Sequence, residues 1–258
     1  MTTHKLSGNR THYLSEGPRI MKYNTIVVLV GVMLLLPVLS VLAGPAVEIP
    51  EPLFDFGRVC QKAQVAHIFW IKSVGDDTLQ ITRIESGCGC TKAPIGDSMI
   101  APGDSTALEI FFSTKSYRNK VSKRPYLETN ADENKVYVKI SAVLVPEPDT
   151  VMPISLNPYI LDVSQFTTKP RRRARFLIEN KSEQDYELTM IDWSRRHFDV
   201  KLPEQVKAGE TADGMVIVHE NVIETEFEQS LTFAISDSVN TRYTLPVRRM
   251  YRVKDRSK

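Results

Sequence analysis

The stretch Val65-Ala66-His67-Ile68-Phe69-Trp70-Ile71-Lys72 decides the fold class. Val65, His67, Phe69 and Ile71 share one parity, and Ala66, Ile68, Trp70 and Lys72 the other, which is the period of a strand with at least one buried face. Ser73-Val74-Gly75-Asp76-Asp77 follows as a turn, because Gly and Asp tolerate left-handed backbone angles. Leu79 and Ile81 begin another strand, whose apolar parity then shifts to Ile84 and predicts a bulge near Thr82-Arg83. Upstream, Phe54 and Phe56 place a short edge-like strand in Pro50–Gly57. Downstream, the turn Ala101-Pro102-Gly103-Asp104 feeds Leu108, Ile110 and Phe112. Pro125–Asn130, a turn at Ala131–Asn134 and an alternating strand at Val136, Val138, Ile140 and Ala142 complete the series. Short strands at this spacing, separated by Gly, Pro and Asp turns, predict an antiparallel β-sandwich.

The segment Ser86-Gly87-Cys88-Gly89-Cys90-Thr91 interrupts this pattern and holds two of the three cysteines. Together with Phe54-Asp55-Phe56-Gly57, His67-Ile68-Phe69, Gly75-Asp76, Ile100–Asp104 and Thr129-Asn130, it resembles, in order, the domain of unknown function 1573 family over about residues 52–145. The resemblance implies a bacterial, mostly exported, immunoglobulin-like module similar to Hydin and major sperm protein-type domains, and it implies no reaction. Two positions depart from that pattern. Cys60 occupies a loop position where the family usually carries a polar residue, and Pro125 falls inside an expected strand.

Pro146-Glu147-Pro148-Asp149 reads as a short, stiff, polar linker. Beyond it, a shift of about 107 residues lays Phe69, Ile71, Leu79, Ile81, Thr82 and Ile84 over Phe176, Ile178, Tyr186, Leu188, Thr189 and Ile191. Gly103-Asp104-Ser105 then matches Gly209-Glu210-Thr211, and Asn134 with Tyr137 matches Asn240 with Tyr243. The ordered run argues for a degenerate repeat. Leu161-Asp162-Val163 stands in for the opening strand, and His197–Val200 lies where the cysteine motif would be. The expected architecture is all-β: two tandem immunoglobulin-like antiparallel β-sandwiches after an N-terminal hydrophobic signal or anchor helix. The layout is 1–46 signal or anchor, 47–146 first sandwich, 151–253 second, divergent sandwich, and 254–258 a basic tail.

Charge says where the protein goes. Residues 1–46 carry +3, from Lys5, Arg10, Arg19 and Lys22 against Glu16, which leaves −1 on the rest of a chain whose total is +2. That balance, with scattered aromatics, excludes a nucleic-acid footprint. Ile26–Ala43 is apolar apart from Gly31, Pro37 and Ser40, follows Arg19 and Lys22, and ends in the small-residue site Val41-Leu42-Ala43. These are the parts of a secretory signal, and Met21 would be a conventional start for it. An uncleaved anchor is the competing reading, since eighteen residues just reach across a bilayer. The chain is therefore expected in the periplasm or cell envelope, anchored at the inner membrane if residues 26–43 are retained, with its cysteines in an oxidising compartment.

Three readings of Cys60, Cys88 and Cys90 remain open. One of the pair bonds to Cys60 and staples the sandwich, leaving one thiol over that is unpaired or linked to another molecule. Alternatively, Gly89 turns the backbone so that Cys88 and Cys90, about 7 Å apart on a regular strand, bond to each other in an exchange-prone redox site. Thirdly, the three sulfurs join His67 around a metal, although single-residue spacing is poor for a tetrahedral chelate. His67 itself, among apolar neighbours, reads as a satisfied core or edge histidine. The basic runs Lys169–Arg175 and Arg248–Arg256 read as charged edges or, functionally, as contacts to an anionic envelope lipid or polymer through Arg171, Arg172, Arg173, Arg248 and Arg249. No nucleophile elbow, phosphate loop or cofactor motif is present. The sequence thus predicts a non-enzymatic binding or scaffolding protein of the bacterial envelope, without cofactor or metal. Its partner would be a protein or envelope polymer, with membrane contact only through the N-terminal segment. The alternative is a thiol-redox or metal-handling accessory protein acting through Cys88 and Cys90.

Overall fold

The computed structural model describes residues 44–115, 117–131 and 135–252. The apolar run 26–43 and the basic tail 254–258 lie outside them. In the N-terminal half the strands are β1 (Val47–Glu48), β2 (Leu53–Cys60), β3 (Gln64–Ser73), β4 (Leu79–Glu85), β5 (Thr91–Lys92), β6 (Met99–Ile100), β7 (Ser105–Ser113), β8 (Asn119–Lys123), β9 (Tyr126–Thr129), β10 (Lys135–Tyr137) and β11 (Lys139–Val145). In the C-terminal half they are β12 (Ile154–Asn157), β13 (Leu161–Asp162), β14 (Arg173–Asn180), β15 (Tyr186–Trp193), β16 (Phe198–Lys201), β17 (Gln205–Val206), β18 (Thr211–Val218), β19 (Phe227–Ile235) and β20 (Arg242–Arg249). Among the described residues the only helical segments are two 3-10 turns, Pro148–Thr150 and Glu220–Val222. None is long and apolar enough to cross a membrane.

Alternation builds the elements as expected. In β3, Val65, Phe69 and Ile71 are buried while Trp70 and Lys72 are exposed, and β3 pairs antiparallel with β7 from Gln64↔Ser113 to Lys72↔Ser105. Leu108, Ile110 and Phe112 of β7 face the same core. Each such side chain, fully buried, contributes about 1.5–3 kcal/mol of transfer free energy. The bulge in β4 is where the parity shift put it: the register against β9 slips between Ile81 and Arg83. Pro125 is not inside a strand. It sits at the bend of one long hairpin whose outer part, β8 with β11, lies in one sheet and whose inner part, β9 with β10, lies in another. Lacking an N–H, proline interrupts the ladder there, while its carbonyl still accepts from Val138 N–H at 3.0 Å.

Two hydrophobic cores result. One is built from Phe54, Phe56, Phe69, Leu108, Phe112, Leu127 and Ile140 with their neighbours, the other from Phe176, Phe198, Val216, Leu231, Phe233 and Leu245 with theirs. The sheets on one side of the cores run β1-β3-β7-β5 and β12-β14-β18-β16. Opposite the first core lie β10-β9-β4-β6 and strands β2 and β11.

The halves are not beads on a linker. A single eight-stranded sheet runs β17-β15-β19-β20-β2-β11-β8, with β13 also pairing β20, so strands of both halves share one sheet. The junction is the parallel contact of β2 with β20 at Arg58↔Tyr243. Gly57 makes it feasible. Its φ is +65°, and a Cβ there would overlap the main-chain carbonyl of Arg242 and lie 2.5 Å from the Arg242 Cβ. Around it the Thr244 hydroxyl donates to Phe56 O at 2.6 Å, and Arg242 donates to Asp55 O at 3.2 Å.

Candidate functional site

The cysteine segment is the turn that leads from β4 into edge strand β5. Gly87, at φ +77°, starts the turn, the Ser86 hydroxyl donates to Cys88 O at 3.3 Å, and Thr91 N–H closes on the same carbonyl at 3.2 Å. Curling brings the Cα atoms of Cys88 and Cys90 to 5.2 Å, within disulfide reach, and the two are bonded to each other. Cys90 is buried in the N-terminal core, Cys88 is half-buried, and the Thr91 hydroxyl lies 3.4 Å from one sulfur and 3.7 Å from the other.

The staple through Cys60 is therefore not formed. Cys60 ends strand β2 rather than occupying a loop, and its buried thiol donates to Tyr159 O at 3.2 Å, toward the C-terminal half and away from Cys90. Desolvation pushes that thiol up to about 12, so it carries no thiolate at neutral pH. Nor are three sulfurs and His67 brought together: among the described residues no group of three or more metal-ligating side chains is found.

His67 sits at the junction of the halves. Its ring stacks on Phe54 with centroids 3.6 Å apart, meets Phe69 edge-on, and its Nδ1 is 2.7 Å from Asp192 Oδ2 in β15. Three further bonds tie β3 and β7 to β19. Ser230 accepts from Ala66 N–H and donates to Ala66 O, each at 3.1 Å, and the Gln229 amide donates to Glu109 at 2.8 Å. None of these partners is marked in the sequence, because nothing local distinguishes a serine that will meet a strand 164 residues away.

In the C-terminal half, the turn before β16 takes the place of the cysteine turn before β5. Cys90 O accepts from Ser113 N–H, and His197 O accepts from His219 N–H, in the same position relative to β7 and β18. Where one half has a disulfide, the other has a side-chain bond: Ser194 Oγ and His197 Nδ1 are 2.7 Å apart. Burial, reinforced by Arg196 and His219, pulls His197 down to about 4, so the ring is neutral at pH 7.

The two basic runs do adjoin, through an arginine that is not at the surface. Arg249 is 1% exposed and donates to the carbonyls of Val163, Arg171 and Ile223 and to the Gln165 side chain. It therefore cannot contact an anionic partner as expected from sequence; it shapes the loop that carries Lys169 and Arg171 instead. Arg248 pairs with Asp162 at 2.8 Å, and Arg172 with Glu220 at 3.3 Å. Lys169, Arg171 and Arg173 are exposed along an open groove of about 660 Å³.

Comparison with known proteins finds a family match over part of the chain. No curated protein matches the sequence. Among solved structures, the chain is similar to a protein of unknown function from Porphyromonas gingivalis W83, at 11% identity and TM-score 0.33, covering 80% of this chain and 99% of that one. It is similar to the ASH / PapD-like domain 7 of human CEP192 at 9% identity and TM-score 0.33, covering 39% of this chain and 85% of that one. The Vibrio cholerae VesB protease is 10% identical at TM-score 0.31, covering 39% and 31%. Residues 47–144 match the family model described as Protein of unknown function (DUF1573).

Proposed function

We propose that this chain is an exported, non-enzymatic binding and scaffolding protein of the bacterial cell envelope. In this reading residues 26–43 direct export or hold the chain at the inner membrane, and two immunoglobulin-like sandwiches follow as a divergent tandem pair. The matching strand orders β1-β3-β7-β5 and β12-β14-β18-β16 support the pair. The observation that carries the scaffold reading is the shared sheet. A sheet that crosses both halves fixes their relative position without a hinge, which suits a body that presents edges and loops to a partner. Strand β8 is such an edge: among the described residues it pairs with β11 alone, and it turns Asn119, Lys120 and Ser122 to solvent while Val121 and Lys123 share the more buried face. A photo-crosslinking residue at exposed Lys120, expressed in cells in the full chain, should trap a partner protein or polymer in the envelope fraction, whereas one at buried Leu108 should not. Retention of the protein in the cytoplasm, or equal trapping at both positions, would overturn this reading.

The second reading, thiol exchange, is favoured by one observation: the Cys88–Cys90 bond has a partly accessible sulfur and a hydroxyl beside both sulfurs. A partner dithiol would attack Cys88 Sγ as thiolate, breaking the S–S bond and releasing Cys90 as thiolate, to which Thr91 can donate. The partner's second thiol would then displace Cys88. The partner leaves as a disulfide, and two electrons and two protons end on Cys88 and Cys90. Cys88→Ser and Cys90→Ser should each abolish such exchange while circular dichroism stays unchanged. Exchange persisting in either variant would remove this reading.

A further inference from the structure

On the solvent side of the shared sheet, where β2 departs from β20, lies a groove of about 780 Å³. Its wall on one side is the turn Val239–Arg242, and on the other Leu53, Asp55, Lys139 and Ser141. Three cations line it: Arg58, Lys139 and Arg242. No ion pair is formed by any of them among the described residues; Arg242 is engaged only with Asp55 O and the face of Phe54. The one carboxylate in the lining, Asp55, accepts from Gly57 N–H and from the Ser141 hydroxyl, both through Oδ1, so the three cations exceed it by a net charge of +2. The Arg58 Nε has no hydrogen-bond partner among the described residues, and Arg58 lines both this groove and the cavity beside Tyr159 and Tyr243. The rim is apolar, with Leu53 at 67% and Val239 at 75% exposure, the latter the most exposed large hydrophobic residue described.

We infer that this groove binds an anion carried on an apolar group, a phosphate or carboxylate whose oxygens engage Arg58, Lys139 and Arg242 while the apolar portion rests on Leu53 and Val239. A guanidinium satisfies two such oxygens at once, and the exposed apolar rim gives the rest of the ligand a surface to rest on. The inference stands on the groove and does not depend on a macromolecular partner at β8.

The test titrates the full chain with phenyl phosphate, phenylacetate, short-chain phosphatidylglycerol and inorganic phosphate by calorimetry, following the Arg58 Nε–H signal by NMR. At least one of the three amphiphilic anions should bind with Kd below about 1 mM, more tightly than inorganic phosphate, and should shift the Arg58 signal. Which one binds best identifies the source as soluble phosphate, carboxylate or lipid headgroup. The double variant Lys139→Gln/Arg242→Gln, which leaves Arg58 and the cores in place, should weaken binding by about tenfold or more. Leu53→Ser/Val239→Ser should weaken the amphiphiles and leave inorganic phosphate unchanged. No binding by any probe, or wild-type affinity for the amphiphiles in either double variant, would overturn the assignment.

Discussion

Gly57→Ala is the substitution from which the shared sheet predicts most. Alanine at φ +65° costs about 1–2 kcal/mol relative to glycine before any contact is considered. The added methyl also meets the Arg242 carbonyl, which is backbone held in the β19–β20 ladder and cannot swing aside as a side chain would. Strands β2 and β20 must then separate, releasing the Thr244–Phe56 and Arg242–Asp55 bonds, each worth about 1 kcal/mol. The sum is about 3–4 kcal/mol. With a urea slope of about 3 kcal/mol/M for a body of this size, the unfolding midpoint of the full chain should fall by about 1 M. Gly89→Ala is the control: nothing lies within 4 Å of the position where its Cβ would be, and its midpoint should move by less than about 0.2 M. A Gly57→Ala midpoint within about 0.3 M of wild type would refute the close approach of the two strands.

Other expectations follow from single groups. His197, drawn down from 6.5 to about 4, makes the folded state refuse a proton that the unfolded chain accepts. Its contribution is complete above about pH 6.5 and is lost as pH falls toward 4, by about 1–2 kcal/mol once the solvent still reaching the ring is discounted. Denaturation at pH 7 and pH 4.5 should show that drop, and His197→Asn should reduce it. Arg249→Met removes the donors to three carbonyls and to Gln165, and should cost more than about 3 kcal/mol in urea titration. Iodoacetamide on the native, unreduced chain should label no cysteine. Denaturation alone should expose one, Cys60, and reduction all three, as read by intact mass. Because the disulfide closes a loop with one residue inside it, reducing it should lower stability by only about 1–2 kcal/mol, far less than a long-loop staple.

Local order was legible in the sequence and long-range order was not. The alternation at Val65–Ile71, the parity shift at Thr82-Arg83 and the turn glycines Gly103 and Gly209, both at positive φ, are signals carried within a few residues. The pairing of β2 with β20 depends on residues 185 apart in the chain, Arg58 and Tyr243, and each reads on its own as an ordinary strand position. Gly57 stood out only as part of a family motif, since a glycine that admits another strand looks like one that ends a turn. Arg249 was hidden by its neighbours: within a run of exposed cations, sequence cannot say that one turns inward to cap three carbonyls. For the cysteines, spacing could not choose a partner for Cys60, because the choice lay in which face of β2 the thiol occupies, and that face is set by the junction.

The most direct test of the fused body uses the two tryptophans, Trp70 in the N-terminal half and Trp193 in the C-terminal half. Urea unfolding of full-length Trp70→Phe and Trp193→Phe proteins reports each half separately by fluorescence. One shared sheet predicts coincident midpoints and slopes for the two probes. Two transitions separated by more than the shift that either substitution itself produces in circular dichroism would contradict it.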